Sequence, residues 1–441
     1  MDNNLNNLKV ATLTLGCKVN QYETDAMIGL LKNAGCEIVD FQAHADVYII
    51  NTCSVTNMAD RKSRQMLHRA KKENPEAIVV AAGCYVQTDK DRVMEDYAVD
   101  IILGNNVKKN IVEALIEYFE SKKTCREHFL DIGQTKEYEE MKLQETNETT
   151  RAYVKVQDGC NQFCSYCIIP YARGRVRSRV LEDVMLEVQN LAQNGYKEIV
   201  LTGIHLSSYG VDQNDKKESM LGNLIEEVST VNGIERVRLG SLEPRIITDD
   251  FLSGLANNTK FCPHFHLSLQ SACNATLKRM NRKYTIEEYM EKCELIRKYF
   301  DMPAITTDVI VGFPGETDEE FGVTVNNLET LNLYEMHIFK FSPRRGTVAE
   351  KMTDQVPEPV KSERSDVLLA MSKEHQKTYE NTFVGKEISV LVEEEITIEG
   401  KRYVVGHTPN YMRVFFEGTP KMLNAIVKVL YQGAEVPAIV I

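Results

Sequence analysis

Cys17, Cys53 and Cys84 are spaced 36 and 31 residues apart, and each follows a short apolar run. The runs Lys9–Leu15, Asp46–Asn51, Ala77–Ala82 and Val99–Leu103 read as strands, and the amphipathic stretches Glu23–Lys32 and Asp60–Lys72 read as helices between them. Each spacing is about one strand–helix–strand unit, the pattern of a doubly wound parallel sheet. In such a sheet the C-terminal strand ends share one edge, where ligands bind. The three thiols are therefore expected to converge. Gly16 and Gly83, directly before two of them, permit a tight turn and close backbone approach. Free cysteines are often simply interior, and Cys36, Cys125, Cys262, Cys273 and Cys293 show no regularity that argues otherwise.

The middle of the chain repeats the alternation. Tyr153–Gln157, Glu198–Thr202, Glu235–Leu239, Phe265–Leu269, Ile305–Val311 and Glu335–Phe341 read as strands separated by helical stretches. Such units in one sheet predict a partial (β/α)6 barrel, with function at the strands' C-terminal ends. Thr317 with Glu320 three residues on predicts a capping box. After about residue 377 the period changes. Ile388, Val390 and Val392 alternate, and Arg402–Val405, Met412–Phe416 and Ala425–Leu430 follow, punctuated by Gly400, Gly418 and Gly433. This predicts a small antiparallel, OB-like β-barrel. The expected division is 7–120, a polar linker 121–150, 151–376 and 377–441.

A hydrophobic content of 43% suits a chain able to bury a full core. Met1 to Lys9 is polar, and no apolar run approaches the roughly 18 residues of a membrane span. The expected location is the cytoplasm, where thiols stay reduced. Eleven cysteines then read as free, metal-bound or catalytic rather than as a disulfide framework. The net charge of −12 disfavours nonspecific nucleic-acid binding. Against it stand three basic runs: Arg61 to Lys72, Arg173 to Arg179, and Lys278 to Lys283.

Cys160, Cys164 and Cys167 sit within eight residues after the first middle strand. Three thiolates so close can hold three corners of a cubane iron–sulfur cluster and leave the fourth iron open. A closed zinc site needs a fourth protein ligand, and no further Cys or His lies nearby in sequence. S-adenosylmethionine is the expected occupant of the open iron, as the source of an adenosyl radical.

The Cys160–Cys167 motif resembles the radical-SAM signature. Leu15-Gly-Cys17-Lys-Val-Asn20, Asn51-Thr-Cys53 and Gly83-Cys84 resemble the N-terminal motifs of the methylthiotransferases. The resemblance covers essentially the whole chain, with the tail similar to the family's RNA-binding TRAM domain. The stretches TLGCKVNQYETD, NTCSVTNMADRKSRQ and IIPYARGRVRSR are most similar to the branch that modifies N6-threonylcarbamoyladenosine beside the tRNA anticodon. The resemblance implies two 4Fe–4S clusters. The one on Cys160, Cys164 and Cys167 would generate the radical, and the one on Cys17, Cys53 and Cys84 would carry or supply sulfur. It further implies two uses of S-adenosylmethionine, as methyl donor and radical source, and a 2-methylthio product. The implied partners are the tRNA anticodon loop, an electron donor such as flavodoxin or ferredoxin, and a sulfur source.

Thr202, Ser241, Glu243, Gln270 and Asp308, at or just beyond strand ends, are candidate contacts to S-adenosylmethionine, as is Tyr166 between two cysteines. Ser271-Ala272-Cys273 departs from the Ser-Gly-Ser common in the family. His205, His264 and His266 read as core or surface histidines. Threonylcarbamoyladenosine carries a carboxylate, so Arg175 or Arg177, following the cluster motif, is expected to pair with it; phosphate contact is the competing role. Three other activities remain open: methylthiolation of isopentenyladenosine in tRNA, methylthiolation of a ribosomal-protein aspartate, or a non-catalytic iron–sulfur carrier.

Overall fold

The computed structural model describes residues 5–121, 128–143 and 150–441, and its strands form four sheets among them. The N-terminal sheet is parallel, in the order β2 (Glu37–Val39), β1 (Lys9–Thr14), β3 (Val47–Thr52), β4 (Ile78–Gly83), β5 (Ile101–Leu103). Its central strands β3 and β4 are buried along their whole length, as a sheet covered on both faces requires. The edge strand β2 is an addition to the sequence reading. Helix α1 (Lys18–Asn33) begins five residues earlier than predicted, because Cys17 itself takes the extended cap position. Helix α2 (Asn57–Glu73) is capped by the Thr56 side chain.

In the middle of the chain, β6 (Arg151–Asp158), β7 (Arg177–Ser178), β8 (Glu198–Gly203) and β9 (Arg236–Leu239) form one sheet, and β10 (His264–His266), β11 (Ala304–Val311) and β12 (Glu335–Lys340) another. Parallel bridges Val237–Phe261 and Leu242–Leu267 join the two. The six long-expected strands are all parallel to their neighbours; only the two-residue β7 runs antiparallel. Side chains alternate across a strand. Ala152, Val154, Ile199, Leu201, Val237, Phe265, Ile305 and Met336 pack into the apolar core. By the same alternation the opposite, inner face carries mostly polar residues, among them Arg151, Tyr153, Lys155, Gln157, Glu198, Thr202, Arg236, Arg238, His264, His266, Asp308 and His337.

Beyond the 24-residue helix Glu358–Asn381, β13 (Glu387–Ile398), β14 (Lys401–His407), β15 (Arg413–Glu417), β16 (Ile426–Leu430) and β17 (Ile439–Val440) form an antiparallel sheet in the order β15-β14-β13-β16-β17. A bridge between Phe416 and Ala438 brings its two ends together. This sheet plugs the base of the polar inner face. Tyr411 stacks between His264 and His407, at 5.0 and 4.6 Å between ring centres, with Arg238 and Arg151 over its faces. Arg236 and Arg238 donate to the carbonyls of His407 and Pro409 at 2.7 and 2.8 Å.

Beneath this joint Glu198 accepts from Arg151 and Arg238, each at 2.8 Å. Burial alone would raise its pKa, but Arg238 and Arg151 outweigh that and hold it at about 2. A carboxyl depressed below its ordinary value of 4.5 stabilises the fold above that pH, and the contribution is lost as pH falls toward about 2. Acid titration of the wild type against Glu198→Gln, followed by circular dichroism, is expected to show a steeper loss below pH 4.5 in the wild type.

Two expectations need correction. The segment 121–150 is not simply a linker: Met141 and Leu143 are buried in the N-terminal core, and Glu140 pairs with Arg179. Cys125 and the rest of 122–127 and 144–149 lie outside the described residues. At Thr317 only half of the capping box forms. Its hydroxyl accepts from Glu320 N at 3.2 Å, while the Glu320 carboxylate turns to Arg279. The reciprocal box forms instead at Thr285 and Glu288.

Candidate iron–sulfur and substrate site

The strand ends β1, β3 and β4 deliver Cys17, Cys53 and Cys84 to one edge, as predicted. Gly16 and Gly83 take φ of +101° and +96°, conformations that favour glycine. A Cβ on Gly16 would lie 2.7 Å from the Cys53 sulfur, so the glycine lets the first two thiols approach. Cys17 is solvent-accessible, whereas Cys53 and Cys84 are buried. Burial, with Cys84 as a like-charged neighbour, pushes the Cys53 thiol up to about 11. Asn105 donates to the Cys84 sulfur at 3.6 Å and to the carbonyl of Ala172 at 2.7 Å.

The second trio lies in the loop after β6. Burial pushes Cys160 up to about 11 and Cys167 up to about 12. Two N–H groups already point at its sulfurs: Gln162 N at 3.4 Å from Cys160 and Arg282 Nη1 at 3.4 Å from Cys164. Neither trio brings all three sulfurs within 4.8 Å of one another. A single tetrahedral zinc with Zn–S near 2.3 Å needs sulfurs about 3.8 Å apart. The wider spacing, the all-thiol donor sets and the N–H donors fit iron–sulfur clusters. The short helix opening at Cys84 packs against the helix Ile169–Arg173, which starts just after Cys167, so the trios flank one contact.

A buried ionic network locks this arrangement. Glu23 of α1 accepts from Lys108 at 2.5 Å, Lys155 at 2.7 Å and Arg173 at 2.8 Å. Asp158 binds Lys155 at 2.6 Å and Arg173 at 3.2 Å. Arg173 also donates to Asn20 at 2.6 Å, and Asn20 in turn holds the carbonyls of Leu15 and Thr52 beside the first trio. Burial raises the Glu23 pKa, but Arg173, Lys108 and Lys155 overcome it and hold that carboxyl well below the usual range. Of the charged residues here only Arg173 stood out in the sequence, because the network needs counter-ions from distant segments.

The structure separates the two arginines expected to meet a carboxylate. Arg177 is buried, 3.6 Å from Asp158, and donates to the Arg173 carbonyl, so it is a structural cation and not an open anion contact. Arg175 is exposed, stacks over Phe163 at 4.5 Å, and lines a surface pocket with Phe129 and Tyr171. Arg179 is buried against Glu140 and Glu187.

The remaining candidates are more scattered. Tyr166 packs edge-on against Phe313. Thr202 is buried on the inner face and Ser241 is exposed. Glu243 accepts from Arg245 at 2.6 Å, and Arg245 reaches Gln162 in the second cysteine loop. Gln270 adopts φ +75°, its N–H donating to the Asp308 carbonyl on β11 at 2.8 Å. Asp308 lies 3.3 Å from His266 and, with His337, forms a cluster on the inner face. His266 is thus no isolated core histidine. Arg282, read within a basic run, is the positioning group that sequence missed; it spans Cys164 and the carbonyl of Ser268.

Two family models match the chain: residues 154–328 match the Radical SAM superfamily, and residues 9–104 match Uncharacterized protein family UPF0004. A radical S-adenosylmethionine methyltransferase, TsrM from Kitasatospora setae, solved with cobalamin and a [4Fe-4S] cluster, has the same fold at TM-score 0.57. It is 15% identical and covers 78% of this chain and 77% of its own. Threonylcarbamoyladenosine tRNA methylthiotransferase MtaB of Bacillus subtilis is 43% identical over 430 residues, 97% of this chain and 94% of that protein. The tRNA-2-methylthio-N(6)-dimethylallyladenosine synthase of Acetivibrio thermocellus is 36% identical over 422 residues, 94% of this chain and 87% of that protein. The chain belongs to the radical-SAM tRNA methylthiotransferase family.

Proposed function

We propose that this protein methylthiolates C2 of N6-threonylcarbamoyladenosine next to the tRNA anticodon. The observation that carries the reading is the convergence of two cysteine trios on either side of one helix contact, in a chain similar along nearly its full length to MtaB proteins. Cys160, Cys164 and Cys167 would hold one 4Fe–4S cluster, and Cys17, Cys53 and Cys84 a second. When bound, the clusters and S-adenosylmethionine supply radical C–H activation and sulfur donation, which ordinary acid–base groups do not.

The protein's own groups position this chemistry. Arg282 and Gln162 donate toward the sulfurs of the radical site, and Asn105 toward Cys84. Glu243, Gln270, Thr202, Ser241, Asp308 and Tyr166 are the candidate contacts to S-adenosylmethionine. The domain reading is a methylthiotransferase N-terminal domain, a partial (β/α)6 barrel and a C-terminal TRAM module. Exposed Arg61, Lys62, Arg69 and Lys72 on α2, with Arg175 beside Phe163 and Tyr171, offer cations and stacking surfaces of the kind that bind RNA. A flavodoxin- or ferredoxin-type donor and a sulfur source complete the cycle in the cytoplasm. No helix among the described residues is long and apolar enough to cross a membrane.

Nucleoside mass spectrometry of tRNA from cells with and without the gene tests the reading. The 2-methylthio form of threonylcarbamoyladenosine is expected to disappear on deletion. Unchanged tRNA with an altered ribosomal protein overturns it.

A further inference from the structure

The short segment Arg344 to Ala349, just beyond β12, bonds to the surroundings of both cysteine trios. At one end the buried Arg344 guanidinium reaches the N-terminal part of the chain. It pairs with Asp60 of α2 and donates to the Ser54 hydroxyl and, at 3.3 Å, to Thr88 Oγ1. Ser54 directly follows Cys53. Thr88 ends the short helix opened by Cys84, and its hydroxyl donates to the Cys84 carbonyl at 3.0 Å. Ser54 also donates to Asp60 at 2.8 Å and lies 2.9 Å from Thr88 Oγ1, so one guanidinium gathers all three side chains.

At the other end Ala349 N donates at 2.8 Å to the carbonyl of Ser165, which lies between Cys164 and Cys167. Ala349 is buried with Met280, Phe313 and Phe341, and Tyr166 packs against this group. Gly346, at φ +86°, would place a Cβ 3.6 Å from Ile168, the residue after Cys167. The Thr347 hydroxyl donates to the Arg344 carbonyl at 2.7 Å and closes the turn between the two ends.

A buried ion pair is a weak source of stability, because desolvation offsets most of its attraction. Its geometry is another matter. Arginine presents its donors in a rigid planar fork, and spread over Asp60, Ser54 and Thr88 that fork sets direction as well as distance. Glu23 already ties α1 to β6 through Lys155. Arg344 adds a tie from β12, the last of the long parallel strands as β6 is the first. One tie leaves a hinge; two fix an orientation.

We propose that Arg344 is a positioning residue that sets the spacing and orientation of the two cluster sites, so that sulfur and radical meet at one carbon. This rests on the proposed function. Arg344 acts through Ser54 and Thr88 on the backbone that carries Cys53 and Cys84. Without its fork each trio keeps its own thiols, so both clusters still assemble while their mutual geometry relaxes.

The test uses the full-length, cluster-reconstituted protein and an anticodon stem-loop RNA bearing threonylcarbamoyladenosine, with dithionite as electron source. Arg344→Gln is expected to keep about eight irons per chain. With both clusters reduced, the dipolar broadening of their electron paramagnetic resonance falls with the cube of their separation and is expected to differ from the wild type. The wild type is expected to release about one 5′-deoxyadenosine per methylthio group formed, one radical for each C–H bond broken. In Arg344→Gln that ratio is expected to rise by roughly 10- to 100-fold, the scale on which misplacing reacting groups by about 1 Å is felt. Thr88→Val, a milder change, is expected to move both readouts in the same direction. Arg345→Gln, which removes an exposed cation 3.7 Å from Asp89, is expected to move neither. If Arg344→Gln fails to fold, Thr88→Val decides. Unchanged broadening and ratio, or a fall in iron that accounts for the lost product, overturns the inference. Broadening that responds to these variants in a protein whose wild type leaves the base unmodified overturns the proposed function alone.

Discussion

Glu23→Ala is expected to destabilise the protein by about 3–5 kcal/mol, the usual consequence of removing one partner from a buried ionic group. Glu23 faces Lys108, Lys155 and Arg173, all of them buried; without it only Asp158 remains to offset Lys155 and Arg173, and Lys108 loses its carboxylate. Coulomb repulsion is poorly screened at such a site. The expected readout is a lower denaturant midpoint. The same change removes the carboxylate that ties Arg173 to α1, leaving its bond to Asn20 unsupported beside the first trio, so iron uptake at Cys17, Cys53 and Cys84 is expected to fall as well. A loss below about 1 kcal/mol would show the network to be no stronger than an exposed pair.

Cys17→Ala is expected to abolish methylthio transfer and to lower reconstituted iron from about eight to about four per chain, because one cubane would lose a corner. Cys160→Ala is expected to give the same iron count from the other trio, and the double variant to hold almost none. Iron content and visible absorbance after anaerobic reconstitution check both. About eight irons in Cys17→Ala would remove that cysteine from the ligand set.

The cysteine trios were legible because their logic is either local, as in Cys160 to Cys167, or follows chain order, as in Cys17, Cys53 and Cys84. Strand order in a parallel sheet converts regular spacing into spatial convergence. Charge runs were not legible in the same way. Arg173, Arg177 and Arg179 resemble an open basic stretch in sequence, yet Glu23, Asp158, Glu140 and Glu187 reach them from elsewhere and bury them. Glu320 shows the same competition at small scale: its local pattern calls for a cap, and Arg279 offers a charged partner instead. The His266–Asp308–His337 cluster needed the register of three strands, which no local pattern encodes. In the segment 128–143, a polar composition hid Tyr138, Met141 and Leu143, whose contacts tie it down.

Tyr411 holds a left-handed φ of +68°, unusual for a bulky residue, at the tip of a turn wedged between two histidines and two arginines. The C-terminal sheet is therefore keyed to the strand base rather than tethered by helix Glu358–Asn381 alone. A keyed module acts as a fixed gauge: whatever it grips stands at one distance and one angle from the cavity mouth.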